Sequence, residues 1–488
     1  MAEESEWIYR VEGNNNVVFS NSKSNQVLRI RKLARRKRHA SVPTRNEDFG
    51  SAEMDYLVNV VYKLLDGLNV HYKAEQLYVS PQLLDKLSAV ISHNRPAELN
   101  GRVNLDESAT HALLMPDFCR SCLPQSVTPR DHRLLNEDNS PIISVELRPK
   151  SCYIPTSLNE RNGSRGMCLS CSRKVSLERK PGAAEQSMYC PFDLFSHDSA
   201  RIQRALRDMI ACPQRHLSVR RNDDIIFSQS LAASRNARCG DFFEENVSPI
   251  FGRGGTSAFL NLVGRSLRQK IAQRPLLKSR SSVSVHCRRK DGIVAEQNCS
   301  ECNAVPNGSE CDTEEENGMC ILDFLSAVKN MCDVPLSEVQ RMNDEIQAYI
   351  SANEKDAALL SLNLPYNTDV WRRAATLPGH NSDSTLDNQS SSSKLRQLES
   401  YADSLRRYTI ARAFTCCSLI ISFSKLREVD DSNQQNGSFC VEDGYGDSYL
   451  CSIAILDLYK EPPNRIDHYC SQTKEFLSVL NDDHKCDP

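Results

Sequence analysis

Residues 142 to 150, Ile-Ile-Ser-Val-Glu-Leu-Arg-Pro-Lys, constrain this chain more than any other stretch. Ile142, Ile143 and Val145 are β-branched and apolar, the composition of a buried strand. Pro149 has no N–H to give to a sheet ladder, so the strand stops there. Glu146, Arg148 and Lys150 then stand on alternate positions at a strand end and point one way. A carboxylate and two cations on one face are costly to bury unpaired, and together they ask for an anionic ligand. The bland alternative is a surface strand with a Glu/Arg/Lys ladder, and the rest of the chain decides between the two.

The 488 residues suggest two or three domain-sized units. Lys plus Arg number 60 against 63 Asp plus Glu, a net charge of −3, so no global basic field points to nucleic acid. No apolar run reaches about 18 residues, so no membrane span is expected. The N-terminus, MAEESEWIYR, carries acids and no apolar h-region, unlike a signal peptide. The 20 cysteines are then expected as thiols of a reducing compartment. Cys119/Cys122, Cys168/Cys171 and Cys299/Cys302 are CxxC pairs that could supply zinc half-sites. They lie far apart in sequence, so zinc stays an open alternative to buried free cysteines.

Taken in order, Trp7-Ile8-Tyr9, the polar turn Glu12-Gly13-Asn14-Asn15-Asn16, and Val17-Val18-Phe19 read as a hairpin. Its N–H groups could cradle phosphate, although most such hairpins are only hairpins. Val27-Leu28-Arg29-Ile30 is the next strand, and Arg29 occupies the place where kinases put a cation against phosphates. Residues 29 to 38 hold seven basic residues in ten, either a solvated helix or loop, a polyanion-binding edge, or a nuclear import signal. Helical spacing predicts helices over 52–72 and 80–93, and residues 111 to 117 read as a strand broken at Pro116. The chain reads as loop over 150–188, as helix over 198–211 with Arg201, Arg204 and Arg207 on one face, and as a short hairpin over 217–228. Residues 265 to 317 read as a disordered insertion. Helical spacing returns over 318–351 and 397–413. Buried strands are expected over 415–424 and over 449–457, the latter ending in Asp457, and a last helix over 466–481.

A glycine/asparagine hairpin, a cation on the next strand, a break near 115–118 and a late strand ending in an acid follow a kinase-like order. Phosphoryl transfer needs a cover over the phosphates, cations, a metal-holding acid and an oriented acceptor. Asp457 suits Mg²⁺, which prefers carboxylate oxygen, against the plain alternative of a strand-terminating Asp.

Trp7-Ile8-Tyr9, Glu12 to Asn16, Val27 to Lys32, Ser144 to Lys150, Met167-Cys168-Leu169-Ser170-Cys171, Tyr189 to Ser196, Arg407 to Ala411 and Leu456-Asp457-Leu458 occur in one order along nearly the whole chain. With these blocks the sequence resembles the inositol-pentakisphosphate 2-kinase family, whose Glu-x-Lys-Pro-Lys signature reads here Glu-Leu-Arg-Pro-Lys. The resemblance implies an α/β (α+β) fold of two lobes with the site in the cleft between them. The expected units are a first lobe over 1–120, a second beginning over 121–264, the insertion over 265–317, and the rest of the second lobe over 318–488.

It also implies roles. Gly13, Asn14, Asn15 and Asn16 match the loop over the ATP phosphates, and Arg29 matches a phosphate-facing arginine. Pro116, Asp117 and Phe118 fall where adenine is held. Glu146, Leu147 and Arg148 match nucleotide contacts. Lys150, Arg102, Arg465 and Tyr469 match contacts to the inositol phosphates, and Arg201 lies near another. Asp457 matches the Mg²⁺-linked acid. ATP and Mg²⁺ are the implied cofactors, and inositol pentakisphosphate, phosphorylated on its 2-hydroxyl to the hexakisphosphate (phytate), is the implied substrate. A monomer in nucleus or cytoplasm is expected. Several positions depart from the family pattern. The acid facing the acceptor hydroxyl is replaced by Cys416. A second acid falls at Tyr459, and a lysine at Glu461, or at Lys460 with one residue deleted. Another lysine falls at Ser199, and an Asn-Asn pair at Arg215-His216. These departures keep open a catalytically impaired relative that binds inositol polyphosphate as a regulator or scaffold. A nuclear nucleic-acid or zinc-binding protein is the reading from another class, disfavoured by the net charge and the lack of aromatic–basic interleaving.

Overall fold

A computed structural model describes residues 6–13, 16–21, 23–32, 49–95, 105–107, 109–120, 141–150, 169–178, 186–222, 224–272, 318–332, 334–363, 365–377, 393–426, 438–460 and 465–481. Two antiparallel sheets organise it. The first contains β1 (Ile8–Glu12), β2 (Asn16–Asn21), β3 (Gln26–Arg31), β4 (Glu75–Tyr78) and β5 (His111–Pro116), in the order β1-β2-β3-β5-β4. The second contains β6 (Ile143–Leu147), β7 (Leu217–Arg221), β8 (Asp224–Phe227), β11 (Ser418–Lys425), β12 (Ser438–Glu442) and β13 (Ser448–Leu456), in the order β12-β13-β11-β6-β7-β8. A two-stranded ribbon joins β9 (Lys270–Ala272) to β10 (Met319–Cys320). The mixed helix and strand content agrees with the fold class expected from sequence.

Burial explains the strand patterns. Val17, Phe19, Leu28 and Ile30 pack under the helix Pro81–Asn94, which starts on a Ser80 cap (Oγ accepts Leu83 N–H, 3.2 Å) with proline at its first turn. The helix Phe49–Tyr56 runs through a π-turn (Leu57–Val61) into Tyr62–Leu65 and packs between this sheet and the rest of the molecule. β6, β11 and β13 lie inside the second sheet and are almost wholly buried; β11 and β13 read as largely apolar runs, whereas β6 alternates, with Ile143, Val145 and Leu147 on one face and Ser144 and Glu146 on the other. The helices Ser199–Ala211 and Gly255–Arg268 supply Ile202, Leu206, Met209, Phe259 and Leu262 to the same core. A separate core joins the helices Leu336–Ala352, Ser393–Thr415 and Ile466–Asn481.

Several boundaries differ from the sequence expectation. The strand expected over 415–424 starts only at Ser418, because the preceding helix runs through Thr415. A helix, Leu169–Glu178, stands inside the stretch expected to be loop. The helix Gly255–Arg268 and β9 carry regular structure through Ala272, beyond the expected start of the insertion at 265, because Leu267 and Ile271 are buried in the core. Arg29 and Arg31 of the basic run belong to β3, and residues 33–38 lie outside the described residues.

Candidate active site

The site forms where two strand ends meet. β6 and β13 flank β11, with Ser418 opposite Leu456 and Leu419 opposite Leu147. The residues that follow β6 and β13 therefore emerge on either side of Ser418. Its hydroxyl lies 2.7 Å from Asp457 Oδ2 and 3.3 Å from Glu146 Oε1, and it accepts from Arg148 Nε at 3.2 Å. A hydroxyl has one proton, and the shorter contact assigns it to Asp457. Arg148 also clasps Glu146 Oε1 through Nε (3.0 Å) and Nη2 (2.8 Å). From the first sheet, Arg29 reaches across from mid-β3 and pairs with the Asp457 carboxylate. The Arg29 guanidinium lies 5.2 Å from the centroid of the Tyr459 ring. One polar network thus links both sheets.

The charges are set by burial and by neighbours. Burial alone would raise the Asp457 carboxyl, but Arg29 and the Ser418 hydroxyl hold it below the usual carboxylate range. Glu53, on the helix Phe49–Tyr56, is pushed up to about 7 by burial, against the pull of Arg31 and Arg29. Asp457 and Lys150 both have left-handed backbone, φ 63° and 57°. Asp tolerates that region; for Lys it is strain held by the surroundings. The surroundings are visible. The Tyr189 hydroxyl donates to Pro149 O at 2.6 Å, the Lys329 ammonium to Lys150 O, and His216 Nδ1–H to Arg148 O at 3.2 Å, while Arg148 N–H donates to His216 O at 2.9 Å. Burial first, and then Lys150, Lys174 and Arg148, push the His216 imidazole down to about 4. The strict alternation expected of Glu146, Arg148 and Lys150 holds for the first two. It ends at Lys150, because the backbone turns left-handed after Pro149.

Many of the described cations near the sheets are paired with carboxylates. Arg10 pairs with Asp117, Lys32 and Arg95 with Glu12, Arg148 with Glu146, and Arg201 and Arg204 with Asp193. Lys150, Arg173, Arg215 and Arg412 pair with no carboxylate among the described residues. Three of these stand together: Arg173 and Arg215 are exposed and close enough to depress the Lys150 ammonium, which burial lowers most. Uncompensated cations at one place mark where an anion is held.

The expected site residues are placed as follows. Asn16 opens β2 and accepts the Gly13 N–H at 2.9 Å, and Lys32 donates to Gly13 O at 3.0 Å. Gly13 does not use left-handed backbone, and a Cβ there would meet nothing within 4 Å. Asn14, Asn15, Arg102 and Glu461 lie outside the described residues. In the hinge, Asp117 N–H donates to Asn25 O, Phe118 O accepts from Ser422, and Cys119 N–H donates to Asp117 Oδ1. These groups hold the crossing between the sheets. Leu147 is buried between Leu217 and Leu419. Arg201 is committed to Asp193 (2.8 Å). Tyr469 lies under Arg412, whose guanidinium is 4.1 Å from the ring centroid. Arg465 is exposed and lies close enough to lower Arg31. Cys416 is exposed at the helix end. Lys460 turns away, to Leu362 O and to Asn363 Oδ1 at 2.7 Å. Cys119 is a buried thiol, and Cys122, Cys168, Cys299 and Cys302 lie outside the described residues. Among the described residues no group of three or more His, Cys, Asp or Glu could hold a metal ion, and no helix is long and apolar enough to cross a membrane.

Sequence reasoning missed Arg173, Glu53 and Arg412. Arg173 sits in a stretch read as loop, and Glu53 and Arg412 lie in stretches read only as helix. Only Arg215 had been visible, as a departure from the family pattern.

A family model described as inositol-pentakisphosphate 2-kinase matches residues 9–475. The chain belongs to the inositol-pentakisphosphate 2-kinase family. Among its relatives, the inositol-pentakisphosphate 2-kinase of Danio rerio is 23% identical over 479 residues, covering 96% of this chain and 91% of the relative. That of Arabidopsis thaliana is 27% identical over 256 residues, 46% of this chain and 54% of the relative. The chain is thus a member of a kinase family.

Proposed function

We propose that the chain transfers the γ-phosphoryl group of ATP to the 2-hydroxyl of inositol 1,3,4,5,6-pentakisphosphate, giving the hexakisphosphate. The observation that carries this is the division of charges around Ser418. On one side Arg29, Asp457, Glu146 and Arg148 form a balanced network. On the other, Lys150, Arg173 and Arg215 pair with no carboxylate among the described residues. A pentakisphosphate carries five groups of roughly −1.5 to −2 charge each and needs several such cations at once.

Arg29 and the 13–16 loop are assigned to the ATP phosphates, Pro116 to Phe118 to the adenine, and Glu146, Leu147 and Arg148 to the nucleotide. Lys150, with Arg102, Arg465 and Tyr469, is assigned to the inositol phosphates, now joined by Arg173 and Arg215. Arg201 is better placed as the partner of Asp193 than as a direct contact. Asp457 suits Mg²⁺: it is an ionised carboxylate with Glu146 as a second carboxylate behind the same hydroxyl. The metal would neutralise charge on the transferring phosphoryl group. Phosphate oxygens compete with Asp457 for Arg29, which frees the carboxylate. In-line transfer through a loose transition state asks little of a general base, so a thiol at Cys416 is compatible with turnover. Cys416→Asp is expected to raise kcat, by up to about 10²-fold where proton removal limits the rate. An unchanged kcat would show that it does not limit.

Asp457→Asn should lower phosphate transfer at least about 10²-fold, while calorimetry shows pentakisphosphate binding retained. Full activity in Asp457→Asn would overturn the assignment. Binding of inositol phosphate with no turnover in the parent chain would favour the regulator or scaffold reading.

A further inference from the structure

Arg412 is a cation that the proposed reaction leaves unused. It stands one helical turn after Tyr408 on the same face, and Cys416 lies just past the helix end, its N–H donating to Ala413 O at 3.3 Å. No carboxylate pairs with it among the described residues, and its Nε is buried with no hydrogen-bond partner. Its neighbours are Tyr408, Cys416 and Tyr469; burial opposes its charge, and these groups favour it. Cys416 is exposed, and the antiparallel register of β6 with β11, Leu147 opposite Leu419, carries Lys150 toward Cys416 at the strand end. The thiol therefore lies at a corner shared by two cations, Lys150 and Arg412, neither of which pairs with an acid among the described residues. A carboxylate beside Cys416 would neutralise this corner, and a phosphate would complete it.

We propose that Lys150 and Arg412 form a phosphate subsite at the Cys416 end of the cleft. The cleft then binds an inositol ring already phosphorylated at the position facing Cys416, the hexakisphosphate, more tightly than the pentakisphosphate. This rests on the reading of the cleft as an inositol-polyphosphate site and extends it: the chain retains its fully phosphorylated ring. Charge-assisted contacts to one added phosphate correspond to a preference of about tenfold or more.

Calorimetry on the full chain with inositol hexakisphosphate and pentakisphosphate, without nucleotide, tests this. The unsubstituted chain should bind the hexakisphosphate at least about tenfold more tightly. Arg412→Met should bring the ratio near one while leaving pentakisphosphate affinity within about threefold, and Arg412→Lys should restore part of it. Cys416→Asp, at an exposed position, reads the same subsite should Arg412→Met fail to fold, and should also erase the preference. Equal affinities in the unsubstituted chain, or a preference untouched by these substitutions, would overturn the subsite while pentakisphosphate binding leaves the functional reading standing. Binding of neither ring would overturn both.

Discussion

At the scale of single residues, two backbone conformations matter more than composition predicted. Lys150 sits at φ 57°, so Lys150→Gly and Lys150→Ala part company. Both remove the ammonium and should weaken inositol-phosphate binding about tenfold or more by calorimetry. Glycine, however, relieves the strain, so chemical denaturation should find Lys150→Gly more stable than Lys150→Ala by about 1 kcal/mol. Gly13 is the opposite case. It has ordinary backbone with open space around its Cα, so Gly13→Ala should leave the melting temperature within about 2 °C. A loss of ATP affinity in that variant would then report crowding of the nucleotide rather than damage to the hairpin.

At the scale of elements, the strand that carries the site depends on what braces its end. His216 does part of that work, and the sign of its pH effect follows from its depressed basicity. The folded state resists protonation near His216, so its stabilisation is complete above about pH 6.5 and is lost as pH falls toward about 4. Thermal melts should show a steeper loss over that interval in the parent chain than in His216→Gln. Equal slopes would contradict the assignment.

Strands and helices with a strong apolar period were legible: β1 to β3, β5, the helices Pro81–Asn94 and Ser199–Ala211, and β13. Their patterns are dictated by one buried face or two. The Glu146–Arg148 pair and Asp457 were legible too, since a strand ending in charge has few uses. What escaped was relational. Nothing local in the helix Leu169–Glu178 announces that Arg173 approaches Lys150, and helical spacing cannot tell an exposed Arg412 from one held against Tyr469. Nor does sequence reveal that Arg201 is already spent on Asp193.

At the scale of the whole molecule, a chain of net charge −3 builds a cationic corner without a basic surface. Several cations, among them Arg10, Arg95 and Arg148, are paired with acids, while Lys150, Arg173, Arg215 and Arg412 pair with no carboxylate among the described residues. The two sheets are tied together through Arg29 and Asp457, so binding of anions in the cleft and the seating of one sheet on the other are coupled. Inositol pentakisphosphate or ATP should each raise the melting temperature, with additive or larger effects together. Phosphoryl transfer in this cleft is tested by ³¹P NMR of the purified chain with Mg²⁺, ATP and inositol 1,3,4,5,6-pentakisphosphate. The hexakisphosphate spectrum, with its additional 2-phosphate resonance, should grow in step with ADP. An unchanged pentakisphosphate spectrum at stoichiometric enzyme would contradict it.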